Sequence, residues 1–335
     1  MKILVVGGAG YIGSHMVKLL LERGHKVITF DNLSSGFRDA VLGGVFIKGD
    51  LADKAKLDQV FSNYRPDAVM HFASCIQVGE SVRHPGKYYQ NNFSNTLNLL
   101  DAMVKHNVWN FIFSSTAAIF GEPEYVPINE MHPKVPVNPY GRSKLMVEHV
   151  LQDYERAYGL KSVSLRYFNA AGADPAGMLG ERHEPETHLI PLVLQAISGK
   201  RPNITVFGRD YSTPDHTCIR DYIHVVDLCN AHLLALGKLM ETGISRQYNL
   251  GNGAGFSVQE VITAAEQLTG SKVTVIEGPR RDGDPAILVA DSALAREELG
   301  WIPIYPDLES IISHAWQWEY ANSSFALSAR IRAYI

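Results

Sequence analysis

Cysteine is scarce in this sequence: Cys75, Cys218 and Cys229 are the only three among 335 residues, and no two form a CxxC pair. That spacing excludes a disulfide framework and a cysteine-built zinc module, and it leads us to expect a reducing, cytoplasmic setting. Positive charge is not in excess either, since 31 Lys and Arg face 35 Asp and Glu, for a formal net charge of −4. With no Lys/Arg run and no basic stripe interleaved with aromatics, nothing draws a polyanion, so nucleic acid is not expected as a partner. Apolar runs of membrane-spanning length are also missing. The opening residues Met1–Gly8 read as a strand entering a glycine turn rather than as a basic leader with a cleavage site, so no membrane association is expected. There is no internal repeat and no low-complexity segment. What remains, 46% hydrophobic and 20% charged, is an ordinary globular composition, long enough for one large domain or two of usual size.

Along the chain, Lys2–Val6 is a continuous apolar run, which suits a strand buried on both faces of a parallel sheet. From Tyr11 to Glu22, Ile12, Met16, Leu19 and Leu20 recur at helical spacing. Further strands are expected at Val27–Phe30, Val45–Lys48, Ala68–His71, Phe111–Phe113 and Ser162–Leu165. Helices are expected at Lys54–Asn63, Tyr88–Lys105 and Tyr140–Tyr158. This alternation predicts an α/β fold, a Rossmann-type doubly wound parallel sheet. It decays after Asn169, where a stretch rich in Pro, Gly, His and charge follows, with helices at Pro191–Ser198 and Val258–Thr269 and a strand at Tyr248–Leu250. We therefore expect a dinucleotide-binding domain over residues 1–170, to which 223–250 returns, and a smaller C-terminal substrate-binding domain over 171–335.

Gly7-Gly8-Ala9-Gly10-Tyr11-Ile12-Gly13 lies between the first strand and the first helix. Glycines there permit a tight turn, backbone approach to a pyrophosphate and close helix–strand packing, while the helix N-terminus offers free N–H groups to the anion. A glycine motif alone is weak, but Asp31 ends the second strand, where a carboxylate accepts hydrogen bonds from the adenosine ribose and repels a 2′-phosphate. The expected cofactor is thus NAD rather than NADP, and Arg38 is the one nearby base that could reverse the preference. Asp50-Leu51, after the third strand, is placed to meet the adenine edge.

Tyr140 and Lys144 form YxxxK, so both side chains share one helix face, and Asn138-Pro139 before them reads as an N-cap followed by proline at the first helical position. YxxxK is common by chance; its position in a chain that already carries a dinucleotide motif gives it weight. A free tyrosine, with pKa ≈ 10, is a poor base at neutral pH. An ammonium ~4 Å away at an effective dielectric of ~20 stabilises the phenolate by about 4 kcal/mol, at most ~3 pKa units before solvent reduces it. On this reading Lys144 pulls Tyr140 down towards the working pH. Thr116, beyond the strand at Phe111–Phe113, is placed to bond the same substrate hydroxyl.

The order of GGAGYIGSH, DNLSSG, FIFSSTAAIFGEP, NPYGRSK, LRYFNAAGA, RDYIHVVDL, YNLGNG and RRDGD, with HFAS and VGESV between them, covers most of the chain. In this series the sequence closely resembles the UDP-glucose 4-epimerase family of extended short-chain dehydrogenases/reductases. The resemblance implies interconversion of UDP-glucose and UDP-galactose by transient oxidation at sugar C4, through a 4-keto intermediate, with NAD retained and recycled. It implies that Tyr140 is the base, that Lys144 tunes it and holds the nicotinamide ribose, and that Thr116 fills the Ser/Thr position. Gly7, Gly10, Tyr11, Ile12, Gly13, Asp31, Asn32, Asp50, Leu51, Phe72, Ala73 and Asn91 match the NAD contacts, and Asn169, His188, Leu189, Phe207, Arg220, Arg281 and Asp284 match the nucleotide-sugar contacts. Two arginines able to clamp a diphosphate agree with that assignment on physical grounds.

Related dehydratases and decarboxylases carry an acidic residue after the Thr, but Ala117-Ala118 follows here, which disfavours them. A 4-epimerase of UDP-N-acetylhexosamines or of UDP-xylose/arabinose remains the alternative; Leu288, at a position that varies in bulk within the family, leaves it open. A non-catalytic NAD-binding protein is disfavoured because both Tyr140 and Lys144 are present. His183, Glu184, Glu186 and His188 cluster in sequence, as do His216, Cys218 and His224, but neither set has a recognised ligand spacing. The first is read as a loop lining the substrate pocket, with no metal expected. Members of the family usually form dimers through the YxxxK helix and the one before it. The stripe Val147, Val150, Leu151, Tyr154 and Tyr158 suits either that seam or the sheet.

Overall fold

A computed structural model describes residues 1–281 and 284–322. The strands β1 (Lys2–Val6), β2 (Lys26–Asp31), β3 (Val45–Lys48), β4 (Ala68–His71), β5 (Asn110–Thr116) and β6 (Lys161–Tyr167) form one sheet with a strand at Arg246–Leu250. The order is 246–250, β6, β5, β4, β1, β2, β3, and every neighbouring pair is parallel. Residues 246–250 are the strand beside β6. Tyr248 pairs there with Leu165.

The apolar run of β1 shows why the sheet is covered on both sides. Successive side chains point to opposite faces. Ile3 and Val5 enter a core with Met16, Val17 and Leu20 of helix 11–22 and Leu228, Ala231 and Ala235 of helix 225–242. Leu4 and Val6 enter the other core, with Leu57 and Val60 of helix 54–64, Leu99 and Met103 of helix 95–105, and Val147 and Leu151 of helix 139–158. Ile3, Leu4 and Val5 are fully buried, which is worth roughly 1.5–3 kcal/mol for each such side chain. A third core joins helices 189–197, 258–269 and 308–321 through Val193, Leu194, Val261, Ile262, Ile311 and Ile312, beside the paired strands 204–207 and 275–278.

Three differences from the sequence reading matter for the site. The strand expected at 111–113 runs on to Thr116, so Thr116 ends β5 at the sheet edge. The helix expected over 88–105 is broken into Pro85–Tyr88, a wide π turn at Tyr89–Ser94, and Asn95–Lys105. That turn rotates Asn92 inward to bond the Cys75 backbone and the Ser143 hydroxyl, and such insertions recur at functional sites. The stripe on helix 139–158 divides: Val147 and Leu151 pack on the sheet, while Tyr158 is exposed. No helix among the described residues is long and apolar enough to cross a membrane.

Candidate active site

The sheet order reverses between β1 and β4, and the crevice beyond their C-terminal ends is where doubly wound sheets bind ligands. Gly7 leaves β1 with φ +80°, and a Cβ there would lie 2.5 Å from the Ala73 nitrogen and 2.7 Å from the Phe72 carbonyl carbon. A Cβ on Gly13 would collide with the Gly7 carbonyl oxygen, so only glycine lets helix 11–22 sit this close to β1. Gly10 differs: its Cβ would meet nothing nearer than the Gly7 oxygen at 3.5 Å, leaving open space above the turn. Beyond it the first-turn amides of Tyr11, Ile12 and Gly13 have no preceding carbonyl to bond. A cradle with backbone donors and no side chain in the way fits a dinucleotide pyrophosphate.

Asp31 is buried at the end of β2, and its carboxylate accepts from the Ala9 amide (2.9 Å) and the Leu33 amide (2.8 Å). Burial raises its pKa, and those two amides pull it partly back. It braces the glycine turn as well as facing the crevice. Arg38 stacks on the Phe46 ring at 4.5 Å and donates to the Val41 carbonyl, so it is already engaged. Asn32 donates to Asp50 at 2.7 Å. The Leu51 side chain lies in the second core, which leaves its backbone as the part able to face an adenine. Asn91 bonds its neighbour Asn92, and Ile12 is partly buried against the first core.

Asn138 caps helix 139–158, accepting from the Gly141 amide at 2.8 Å, and Pro139 opens it. Tyr140, on the first turn, lies beside the Thr116 hydroxyl at the end of β5. One turn later Lys144 is 2% exposed. Its Nζ donates to Ser74 Oγ (2.5 Å) and the Ser114 carbonyl (2.8 Å) and lies 4.9 Å from the centre of the Phe113 ring. The electrostatics correct the sequence reading. Burial raises the Tyr140 pKa, and the opposing influence is the neighbouring Thr116 hydroxyl, not the ammonium. Burial also lowers Lys144 to about 7, with Cys75 and Glu148 opposing it in part. His71, buried below and near Lys144, is driven down to about 3 by burial and then by that lysine's charge, so it stays neutral.

On the far side, Arg220 pairs with Asp284 at 2.5 Å, and Tyr211 donates to the same carboxylate at 3.2 Å. The exposed Arg281 guanidinium lies 4.1 Å over Phe207. Asn169 donates to the Asp221 carbonyl, and Leu189 begins helix 189–197. His188 Nδ1 lies 2.9 Å from both Glu181 and Glu186. The RRDGD motif is described in part, since residues 282 and 283 lie outside the described residues. Ser74, Asn92, Tyr211 and Glu181 were not anticipated. Glu181 did carry a signal, because Glu181-Arg182-His183 and Glu186-Thr187-His188 repeat the pattern Glu-x-His.

A glycine cradle, a brace of acid at the end of β2 and a Tyr–Lys–Thr group at the sheet edge together define an NAD-dependent enzyme of the short-chain dehydrogenase/reductase type. The chain belongs to the NAD dependent epimerase/dehydratase family, whose model matches residues 3–251. It is 52% identical over 318 residues to a UDP-glucose 4-epimerase of Halalkalibacterium halodurans, with 95% of each chain covered. The crystal structure of UDP-glucose 4-epimerase from Brucella ovis in complex with NAD superposes with a TM-score of 0.92 at 51% identity, covering 94% of this chain and 97% of that one. The enzyme from Bifidobacterium longum, in complex with NAD+ and UDP, superposes with a TM-score of 0.90 at 39% identity, covering 96% of this chain and 99% of that one.

Proposed function

We propose that this chain is a UDP-glucose 4-epimerase that interconverts UDP-glucose and UDP-galactose. The observation that carries the reading is Tyr140 beside Thr116 and a buried Lys144, at the C-terminal end of the sheet beside the glycine cradle. NAD, when bound, supplies the acceptor and donor for the C4 hydride and a cationic ring that favours a phenolate nearby. Tyr140 takes the proton of the sugar 4-hydroxyl while Thr116 orients that hydroxyl. Lys144, fixed by Ser74 and the Ser114 carbonyl, is positioned to hold the nicotinamide ribose. Gly7, Gly10, Tyr11, Ile12, Gly13, Asp31, Asn32, Asp50, Leu51, Phe72, Ala73 and Asn91 form the NAD side. After C4 becomes a ketone, the sugar turns over and is reduced on its opposite face, and Tyr140 returns the proton. No net oxidation results.

Arg220 and Arg281 are assigned to the diphosphate and Asp284 to the uridine ribose, with Asn169, His188, Leu189 and Phe207 lining the same side. Asp284 is already held by Arg220, so diphosphate binding redistributes an existing ion pair. We assign NAD binding to residues 1–170 with the returning segment 223–250, and substrate binding to the remainder of 171–335. A cytoplasmic homodimer acting in galactose metabolism completes the proposal, and light scattering of the purified protein tests the dimer. The first test of the activity is to incubate the purified protein with UDP-galactose, without added cofactor, and to follow UDP-glucose by chromatography. Conversion supports both the epimerase and its retained NAD. Failure to convert even with NAD supplied, in protein that binds NAD, refutes the assignment and directs the search to acetamido or pentose nucleotides.

A further inference from the structure

The loop from Gly180 to His188 gathers four potential ligands that the proposed reaction does not use together. Glu181, His183, Glu186 and His188 each present one ligand atom, and all of these lie within 4.8 Å of one another. Glu184, grouped with them by sequence, is exposed outside this set, and Glu181 takes its place. Among the described residues no other group of histidine, cysteine and carboxylate converges in this way, and His216, Cys218 and His224 do not.

From this geometry we infer a binding site for one divalent transition-metal ion, best matched to zinc, held by His183, His188, Glu181 and Glu186. The spacing carries the argument. Zinc bound by nitrogen and oxygen at about 2.0–2.1 Å in a tetrahedron sets its ligand atoms about 3.3 Å apart. Here His183 Nδ1 is 3.3 Å from Glu181 and 3.5 Å from Glu186, and His188 Nδ1 is 2.9 Å from each. Two imidazoles with two carboxylates suit zinc better than the all-oxygen shells of magnesium or calcium. The Glu181 and Glu186 side chains are 7% and 4% exposed, so two buried negative charges converge on one point. His183 Nδ1 is itself buried and aimed at both carboxylates, yet it lacks a well-formed hydrogen bond to either.

Charge balance explains how the site stays intact without the ion. Burial disfavours a charge on His183, but the Glu181 and Glu186 carboxylates beside it outweigh that and raise it to about 9. His188 is likewise raised to about 10, burial being overcome by the Glu181 charge and by bonds to both carboxylates. Two imidazolium ions against two carboxylates are neutral, as is a dication with two neutral imidazoles. Tyr11 is the other titratable group facing the carboxylates: burial and the charges of Glu181 and Glu186 push it well above its usual range, so it stays neutral. Arg182 turns away to Asp39 and the Phe37 ring. The bound ion is a clasp: it pins residues 181–188 ahead of helix 189–197 and against Tyr11 of the glycine turn, whose hydroxyl donates to Gly172.

The test uses the purified NAD-containing protein after chelator treatment and dialysis. Zinc sulfate is titrated calorimetrically, with a chromophoric chelator as competitor. We expect one equivalent per chain. His183→Gln and Glu186→Gln should each weaken affinity by at least about 100-fold, because losing a ligand costs more than the 10–100-fold typical of a lost outer-shell partner. Circular dichroism checks that the variants fold. Independently of them, Co2+ added to the wild-type protein should give the intense visible bands of a four-coordinate ion. Absence of a stoichiometric site, equal affinity in folded variants, or the faint spectrum of six-coordinate Co2+ overturns the proposal.

Discussion

Replacing Tyr140 by Phe removes one oxygen atom and leaves the ring in place against Tyr88, whose centroid lies 6.5 Å away at 81°. The structural cost is small. The Thr116 hydroxyl loses its polar neighbour but still accepts from the Ala118 amide at 3.1 Å, so the loss is at most about 0.5–1.5 kcal/mol. The catalytic cost is of another size. A positioned general acid–base contributes about 10²–10⁴-fold, or roughly 2.7–5.5 kcal/mol of barrier. The proton transfer belongs to the transition state, so the loss should fall on kcat, with KM little changed. The assay measures initial rates of UDP-galactose conversion over a range of substrate concentrations, with the NAD content and melting temperature of the same preparation. A Tyr140→Phe protein that keeps its NAD and turns over within threefold of wild type refutes Tyr140 as the base. A rate loss accompanied by lost NAD or collapsed stability refutes the claim that the oxygen acts in chemistry alone.

Gly13→Ala should lose NAD on desalting and lower thermal stability, because the new Cβ collides with the Gly7 carbonyl and drives helix 11–22 away from the cradle; cofactor retained at the wild-type level contradicts this. Glu148→Gln should destabilise the protein in urea by about 3–5 kcal/mol, since it strips the charge partner from a buried arginine. Arg166, 3% exposed, holds that carboxylate through bonds of 2.6, 3.0 and 3.2 Å. The double variant Glu148→Met/Arg166→Met should recover most of the loss, and a single-variant effect below about 1 kcal/mol would show the pair to be solvated. In chelator, the raised pKa values of His183 (about 9) and His188 (about 10) give a pH signature. Their stabilisation is complete below the unfolded value of about 6.5 and is lost as pH rises through the folded values. Melting temperature should therefore fall between neutral pH and pH 10, less steeply in His183→Gln, and parallel profiles would disprove the pairing.

Much of this molecule was legible because its signals are local. Helices 11–22 and 258–269 and strands 45–48 and 68–71 lie where periodicity and flanking residues put them. The π turn at 89–94 gave no periodic signal, because one extra residue per turn is stabilised by what Asn92 finds across the fold, at Cys75 and Ser143. Leu51 shows the same limit: sequence places it after β3, but packing against the second core decides which way its side chain points.

By itself the sequence determined the glycine turn, the alternation that winds the sheet, and the common helix face of Tyr140 and Lys144. These depend on backbone sterics and on spacing within a few residues. Only the tertiary structure brought Ser74 to Lys144, Thr116 to Tyr140, Arg220 to Asp284 and Arg166 to Glu148, pairs up to 70 residues apart. It alone also decided charge. The same lysine that looks like a fixed cation in sequence is brought to about 7 by burial, and His183 and His188 are carried the other way by two buried carboxylates. Spacing says which groups share a face, but desolvation sums over every element packed around them, and that sum exists only once the chain has folded.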